Sequence, residues 1–268
     1  MPANLDSIVA ATRQRLFQRR HTVDLRALER VAELHSPRGF REQLRRFSGT
    51  GIAVISELKK ASPSKGLIRA DFQPAALARE LEAAGAAALS VLTDEQFFQG
   101  SLEYLREASS VTSLPCLRKD FIVDEFQIIE ARAYHADAIL LIVAALNQNE
   151  LITLAARAQS QGLDVLCEAH DEPELQRAID AGCNLIGVNN RDLHTFKVTP
   201  DTALALANKI PDECVAVAES GIHSGADLAS LKAAGYDAFL IGESLMTAEC
   251  PGKALTKLLE EAKVVVNS

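Results

Sequence analysis

From about residue 51 onward one pattern recurs along the chain. A stretch with helical spacing of apolar positions closes on small residues, often Ala-Gly, and a short apolar run follows. LEAAGAAALSVL, RAYHADAILLIV, RAQSQGLDVLCE, AIDAGCNLIGVN and LKAAGYDAFLIG are its copies. Gly85, Gly162, Gly182 and Gly235 stand just past the helical stretches, where a helix often ends in a left-handed residue. The runs that follow are rich in Val, Ile, Leu and Ala with little polar alternation, which suits parallel strands covered on both faces. Eight such runs lie at about 52–58, 87–92, 115–119, 138–143, 164–168, 185–189, 215–219 and 238–242. Between them Leu77 and Leu81, then Phe126, Ile129 and Ala133, then Leu151, Leu154 and Ala155, then Leu228 and Leu231 mark helices.

Strict alternation of eight strands with helices predicts a (β/α)8 TIM barrel over residues 51–266. A doubly wound open sheet is the alternative; it usually has fewer strands, and no GxGxxG follows the first run. Residues 1–50 precede the barrel as a helical N-terminal extension. Leu5, Ile8, Val9, Thr12 and Leu16 follow helical spacing, and Asp24–Leu34 reads as a second helix. The basic cluster from Arg13 to Arg20 reads as a solvated helix face. Pro251–Val266 reads as the last barrel helix. The 268 residues are expected to form a single domain.

Composition narrows the function. A hydrophobic content of 48% supports a large core, and a net charge of −8 argues against a nucleic-acid partner. It leaves room for an anionic substrate, which needs only a few local cations and backbone N–H groups. No apolar stretch reaches the roughly 18 residues of a membrane span. The N-terminus lacks the basic-then-apolar layout of a signal peptide, so a cytoplasmic protein is expected, with no membrane contact. The five cysteines, Cys116, Cys167, Cys183, Cys214 and Cys250, read as small buried hydrophobes rather than as metal ligands or a disulfide. The six histidines, His21, His35, His135, His170, His194 and His223, lack ligand spacing and read as surface or helix-end residues; no metal site is expected.

Chemistry collects at the ends of the runs, where barrels of this class carry their active sites. The first run ends in Glu57 and Lys59, two apart and so on one face, shared with Ala53 and Ile55. The third ends in Lys119, the fifth in Glu168, the sixth in Asn189, Asn190 and Arg191. The seventh ends in Glu219 and Ser220 before Gly221, the eighth in Gly242 and Glu243. The starts of the same runs are small or apolar. Taken singly, Glu57–Lys59 also fits a structural ion pair, Lys119 a surface pair with Asp120, and Glu168 a helix cap. Together they form a set of candidate general acids and bases in one cavity. The glycine turns after the seventh and eighth runs stand where such barrels commonly hold phosphate.

ELKKASPSKG, LRKDF, CEAHDEPEL, GVNNRDL, AESGI and IGESLM, in this order over nearly the whole chain, resemble the indole-3-glycerol-phosphate synthase family of tryptophan biosynthesis. The resemblance implies a carboxy-lyase that closes the ring of 1-(2-carboxyphenylamino)-1-deoxyribulose 5-phosphate, with loss of carbon dioxide and water, to give indole-3-glycerol phosphate. It implies no metal and no organic cofactor. Lys119 matches the general acid for ring closure, and Lys59 a residue that holds substrate anions and serves later proton transfers. Glu168, with Glu57, matches the residue that stabilises positive charge and assists dehydration. Asn189 would orient a substrate hydroxyl and Arg191 hold the polar network around it. Ser62, Gly221, Gly242 and Glu243 would cradle the phosphate, the last three through backbone N–H groups. Phe121 would hold the anthranilate ring, while Glu219 and Ser220 match the family's active-site turn. The partner implied is a phosphorylated small molecule; a monomer is expected, a homodimer being the alternative. Phosphoribosylanthranilate isomerase, a Schiff-base aldolase and a non-catalytic phosphosugar-binding barrel are the competing readings, and the Lys59, Lys119 and Glu168 set speaks against the first.

Overall fold

The computed structural model describes residues 4–192, 195, 197–199 and 201–266. Eight parallel strands close into one barrel: β1 (Ala53–Leu58), β2 (Ala88–Leu92), β3 (Cys116–Lys119), β4 (Ala138–Ile142), β5 (Asp164–Ala169), β6 (Leu185–Asn189), β7 (Val215–Glu219) and β8 (Ala238–Ile241). Each pairs with its chain neighbours, and β1 closes the ring against β8, with Ile55 opposite both Leu240 and Ala88. The TIM barrel is therefore observed, its strands within a residue or two of the expected runs. Gly85, Gly162, Gly182 and Gly235 all have φ between 73° and 111°. The unit without glycine puts His135 in the same place, at φ 66°.

Alternation along each strand divides the apolar residues into two cores. Val54, Leu89, Cys116, Ile139, Val165, Ile186, Ala216 and Phe239 face the surrounding helices. Ala53, Ile55, Ala88, Leu117, Leu140, Leu166, Leu185, Val217 and Leu240 fill the barrel. The inner core is plugged at the strand-start end by Phe40 and Leu44, both fully buried. They lie on a third N-terminal helix, α3 (Phe40–Ser48), which the spacing did not reveal. Its neighbours are strand starts: Arg41 N–H donates to Asp164, and Ser48 Oγ to Asp237. Asp137 locks this end. Its buried carboxylate accepts from Arg38 N (2.7 Å), Arg38 Nε (3.0 Å), Cys116 N (2.6 Å) and the His35 ring (3.2 Å). These partners outweigh the effect of burial and hold its pKa below the ordinary value.

At the opposite end lies α1 (Leu5–Arg20), capped by Asn4 and Ser7 in a reciprocal box. Its basic cluster departs from the solvated face expected. Arg13 reaches Glu150 (2.9 Å), Arg15 reaches Asp94 (3.4 Å), Arg19 reaches Glu130 (2.8 Å) and Arg20 reaches Asp124 (2.9 Å). All four carboxylates follow strand ends or lie on the helices after them, so the cluster docks α1 over the barrel mouth. α2 (Leu25–Glu33) then packs on helix Glu125–Ala133.

The cysteine expectation needs two corrections, one of them at Cys250, which is only partly buried. Cys116 and Cys214 are buried thiols, and burial pushes Cys116 up to about 12. Cys167 and Cys183, however, form a disulfide with Cα atoms 6.5 Å apart. Cys167 points out of β5 into the helix layer, and the turn before β6 brings Cys183 against it. Their 16-residue separation in sequence hid this contact.

Candidate active site

The strand ends line a cavity of about 500 Å³. Every expected site residue borders it: Glu57, Lys59, Ser62, Lys119, Phe121, Glu168, Asn189, Arg191, Glu219, Ser220, Gly221, Gly242 and Glu243. Glu57 continues the inward face of Ile55, and the chain turns out just after it. Lys59 Nζ folds back to Glu57 Oε1 at 2.7 Å. On β3 alternation separates neighbours. Lys119 points in, while Arg118 and Asp120 point into the helix layer and pair with each other at 2.8 Å. Arg118 also meets Glu130 at 3.0 Å, and Asp120 accepts from Thr93. The surface pair of Lys119 with Asp120 therefore does not form.

Lys119 Nζ lies 3.3 Å from Glu168 Oε2 and 3.7 Å from Glu219 Oε2. Burial alone would lower its pKa. Glu168, Glu219 and Glu57 outweigh that and raise it, so the ammonium is charged. Glu57 and Glu168 are buried too, yet the lysines hold both below the usual carboxylate range. Glu219 goes the other way. Burial and the neighbouring Glu168 carboxylate, against which it lies at hydrogen-bonding range, push it well above the ordinary value. Of the two adjacent carboxyls Glu219 therefore takes up a proton the more readily.

Glycine makes this cluster possible. Gly187 faces inward on β6, opposite Glu168 in register. A Cβ there would lie 2.2 Å from Glu219 Oε1. Glu219 therefore crosses the space above Gly187 to reach Lys119.

One end of the cavity is apolar. Phe121 packs near Phe98 with ring centroids 6.1 Å apart, alongside Leu140, Ile142 and, from α1, Leu5 and Ile8. The other end is polar and lined by main chain. Ser220 and Gly221 are consecutive left-handed residues at φ 65° and 77°. Gly242 passes so close to Glu57 that a Cβ would meet its Oε1 at 2.5 Å. A short hairpin, Ala61–Ser62 with Gly66–Leu67, brings Ser62 to the rim and carries Lys65, which pairs with Glu243 at 3.1 Å. Arg191 reaches the same carboxylate at 3.5 Å. Asn189 Oδ1 accepts from Arg191 N–H at 2.9 Å. Asn190 faces away, donating to the Ser220 carbonyl and accepting from Ala203 N–H.

Four contributors went unrecognised in the sequence: Gly187, Lys65, the Leu5 and Ile8 face of α1, and His170. His170 lies 3.4 Å from Glu168 and 3.0 Å from Glu174, partly buried rather than at the surface. His223 also borders the cavity, and His194 lies outside the described residues. Among the described residues no group of three or more His, Cys, Asp or Glu is placed to hold a metal ion, and no helix is long and apolar enough to cross a membrane.

A family model described as indole-3-glycerol phosphate synthase matches residues 5–258. The chain belongs to the indole-3-glycerol phosphate synthase family. Curated relatives of that name agree along the full length. One from Koribacter versatilis is 56% identical over 259 residues, covering 97% of this chain and all of the relative. One from Burkholderia ambifaria is 49% identical over 255 residues, covering 95% and 98%. Membership makes the protein an enzyme, a carboxy-lyase of tryptophan biosynthesis. Solved structures of other families share the fold alone. A thiamine phosphate pyrophosphorylase from Pyrococcus furiosus superposes with a TM-score of 0.61 at 15% identity, over 80% of this chain and 97% of the other. A mandelate oxidase variant gives 0.63 at 16%, over 90% and 94%.

Proposed function

We propose that the cavity closes the indole ring with Lys119 as general acid, and that the residues around it divide the later proton transfers. The ring carbon bearing the carboxylate attacks the substrate ketone, and Lys119 gives its proton to the ketone oxygen. Its raised pKa does not impede this step, because the alkoxide forming there is a stronger base than an ammonium. The new bond costs the ring its aromaticity and leaves positive charge on the anilino nitrogen, which the Glu168 carboxylate offsets. Loss of carbon dioxide returns the carbon–carbon bond pair to the ring. The hydroxyl then leaves as water with a proton from Lys59, which is held by Glu57. Glu168 takes a proton from the adjacent CH2, and the pyrrole double bond forms. Asn189 orients a substrate hydroxyl, and Arg191 keeps the polar network around it in order.

The phosphate lies against the main chain of Ser220, Gly221, Gly242 and Glu243, with Ser62 at the rim. The glycine approaches and the nearby Lys65 and Arg191 support this. Phe121 and the apolar end hold the anthranilate ring. The observation that carries the reading is the convergence of Lys119 with Glu168 and Glu219 from three strands, in a cavity apolar at one end and polar at the other. We read the chain as one domain, acting as a monomer in the cytoplasm without a cofactor.

Mixing the protein with the carboxyphenylamino substrate tests the reaction. Carbon dioxide and indole fluorescence are expected to appear one to one, and the chain's lack of tryptophan keeps the background low. Fluorescence without carbon dioxide, or neither from folded protein, would refute it. Sedimentation velocity at micromolar concentration is expected to give one species near 28.9 kDa.

A further inference from the structure

The turn after β5 carries a group that the catalytic scheme does not use. His170 is two residues beyond Glu168, at the start of helix Glu172–Asp180. Glu174 Oε2 accepts from His170 backbone N–H at 2.8 Å and lies 3.0 Å from ring Nδ1. An ionised carboxylate only accepts hydrogen bonds, so Nδ1 carries a proton. Nε2, on the other side of the ring, is buried without a hydrogen bond, 3.4 Å from Glu168 Oε1, which it meets as an ion-pair partner. A bare lone pair there would face a carboxylate and be repelled, so Nε2 carries a proton as well.

We propose that His170 is a positioning residue: clamped between Glu174 and Glu168, its imidazolium fixes the Glu168 carboxylate plane and keeps Glu168, rather than Glu219, the ionised member of the buried pair. Each Glu168 oxygen then has its own cation, Oε2 facing Lys119 and Oε1 facing His170. Glu219 has no such second cation. Charge balance agrees. Glu57, Glu168 and Glu174 carry three negative charges, and Lys59, Lys119 and His170 three positive ones, with Glu219 neutral. A neutral His170 would leave the partly exposed Glu174 without its cation and Glu168 with only one.

Among the described residues, Glu168 and Glu174 are the charged groups that chiefly act on the ring. The turn Val143–Ala145 packed against this region is apolar. Arg177, on the same helix as Glu174, is taken up by the carbonyls of Val143 and Leu146. Burial lowers the histidine pKa, but Glu168 and Glu174 outweigh it and push it up to about 10, so the ring is charged across the physiological range.

The inference rests on the role given above to ionised Glu168, and the test separates the two. The full chain is prepared with His170→Ala, His170→Gln and, as a control, Glu168→Gln. In His170→Ala, kcat is expected to fall at least tenfold with KM within about threefold, because Glu168 is freed while the phosphate end is untouched. The acidic limb of the kcat profile is expected to move up by about one pH unit, since Glu168 loses a cation and protonates more easily. His170→Gln restores a donor toward Glu168 but no charge. It is expected to recover part of kcat and to keep the shifted limb. Ring 15N spectra of the wild type give a readout independent of turnover, with both nitrogens protonated at pH 8.

A neutral ring at pH 8 would overturn the inference, as would His170→Gln with a wild-type kcat and an unmoved acidic limb. If His170→Ala does not fold, His170→Gln and the spectra decide alone. Wild-type turnover by Glu168→Gln would overturn the catalytic reading instead. An inactive Glu168→Gln beside an unaffected His170→Gln would overturn the His170 inference only.

Discussion

Gly187→Ala is the smallest change that reaches the catalytic cluster without removing any of its functional groups. The added Cβ would lie 2.2 Å from Glu219 Oε1, with Leu166 Cδ1 at 3.3 Å and Glu219 Cδ at 3.4 Å. The first of these is more than about 1 Å inside an ordinary contact. Strands β5, β6 and β7 are held in continuous parallel register, and backbone separation would break that ladder. One side chain yields more easily than this ladder, so Glu219 swings and leaves its neighbour Glu168. It then loses Lys119, now 3.7 Å away. For two full charges at that distance and an effective dielectric near 20, the attraction is about 4 kcal/mol. Glu219 takes up a proton readily, so what is at stake is a polar contact with a charged ammonium rather than a full ion pair, about 1–3 kcal/mol. That corresponds to a fall in kcat of about 5- to 150-fold. Overpacking is expected to cost a further 1–3 kcal/mol of stability, roughly. Steady-state indole fluorescence reads the first effect and urea unfolding the second. A variant with wild-type kcat and an unchanged midpoint would refute the claim that Glu219 depends on the space above Gly187.

Other consequences follow from the same geometry. Asp137→Ala strands the buried Cys116 N–H and takes the carboxylate from the partly buried Arg38, which keeps only Ser109 and Thr112. It is expected to cost about 3–5 kcal/mol in denaturant unfolding while sparing kcat in the protein that remains folded. His170 has a folded pKa of about 10, above its unfolded value, so its stabilisation is full below about pH 6.5 and is lost as pH rises toward 10. Unfolding free energy is therefore expected to fall more steeply over that range in the wild type than in His170→Gln, and parallel curves would count against a charged ring. Lys65→Ala removes a cation from the phosphate rim. It is expected to raise KM several-fold with kcat nearly unchanged, and an unchanged KM would remove Lys65 from substrate binding.

The barrel was legible because its determinants are local. Apolar runs covered on both faces, and left-handed glycines after four of the helices, repeat often enough to be counted. Glu57 and Lys59 were legible because period-two alternation links them to Ile55. What stayed hidden depends on contacts between distant segments. α3 has only Phe40 and Leu44 as buried anchors, too few to stand out, and their role as a plug appears only once the barrel closes. The Arg13–Arg20 cluster looked like any polar helix face because its four carboxylate partners lie in other parts of the chain. Gly187 sits within a strand-like run, and its empty inward space has meaning only beside Glu219 on the next strand. His170 was the most accessible of the misses. Glu168, His170 and Glu174 are close in sequence, and a turn between strand and helix can fold both carboxylates onto one ring.

The central claim is that Lys119 supplies the proton for ring closure. Lys119→Ala tests it most directly, assayed for indole fluorescence beside the wild type, with circular dichroism to verify the barrel. General acid catalysis typically contributes about 10²–10⁴-fold, and this cation also neutralises Glu168, so a loss at the upper end, about 10⁴-fold, is predicted with the fold intact. Turnover within tenfold of the wild type by the folded variant would contradict the account.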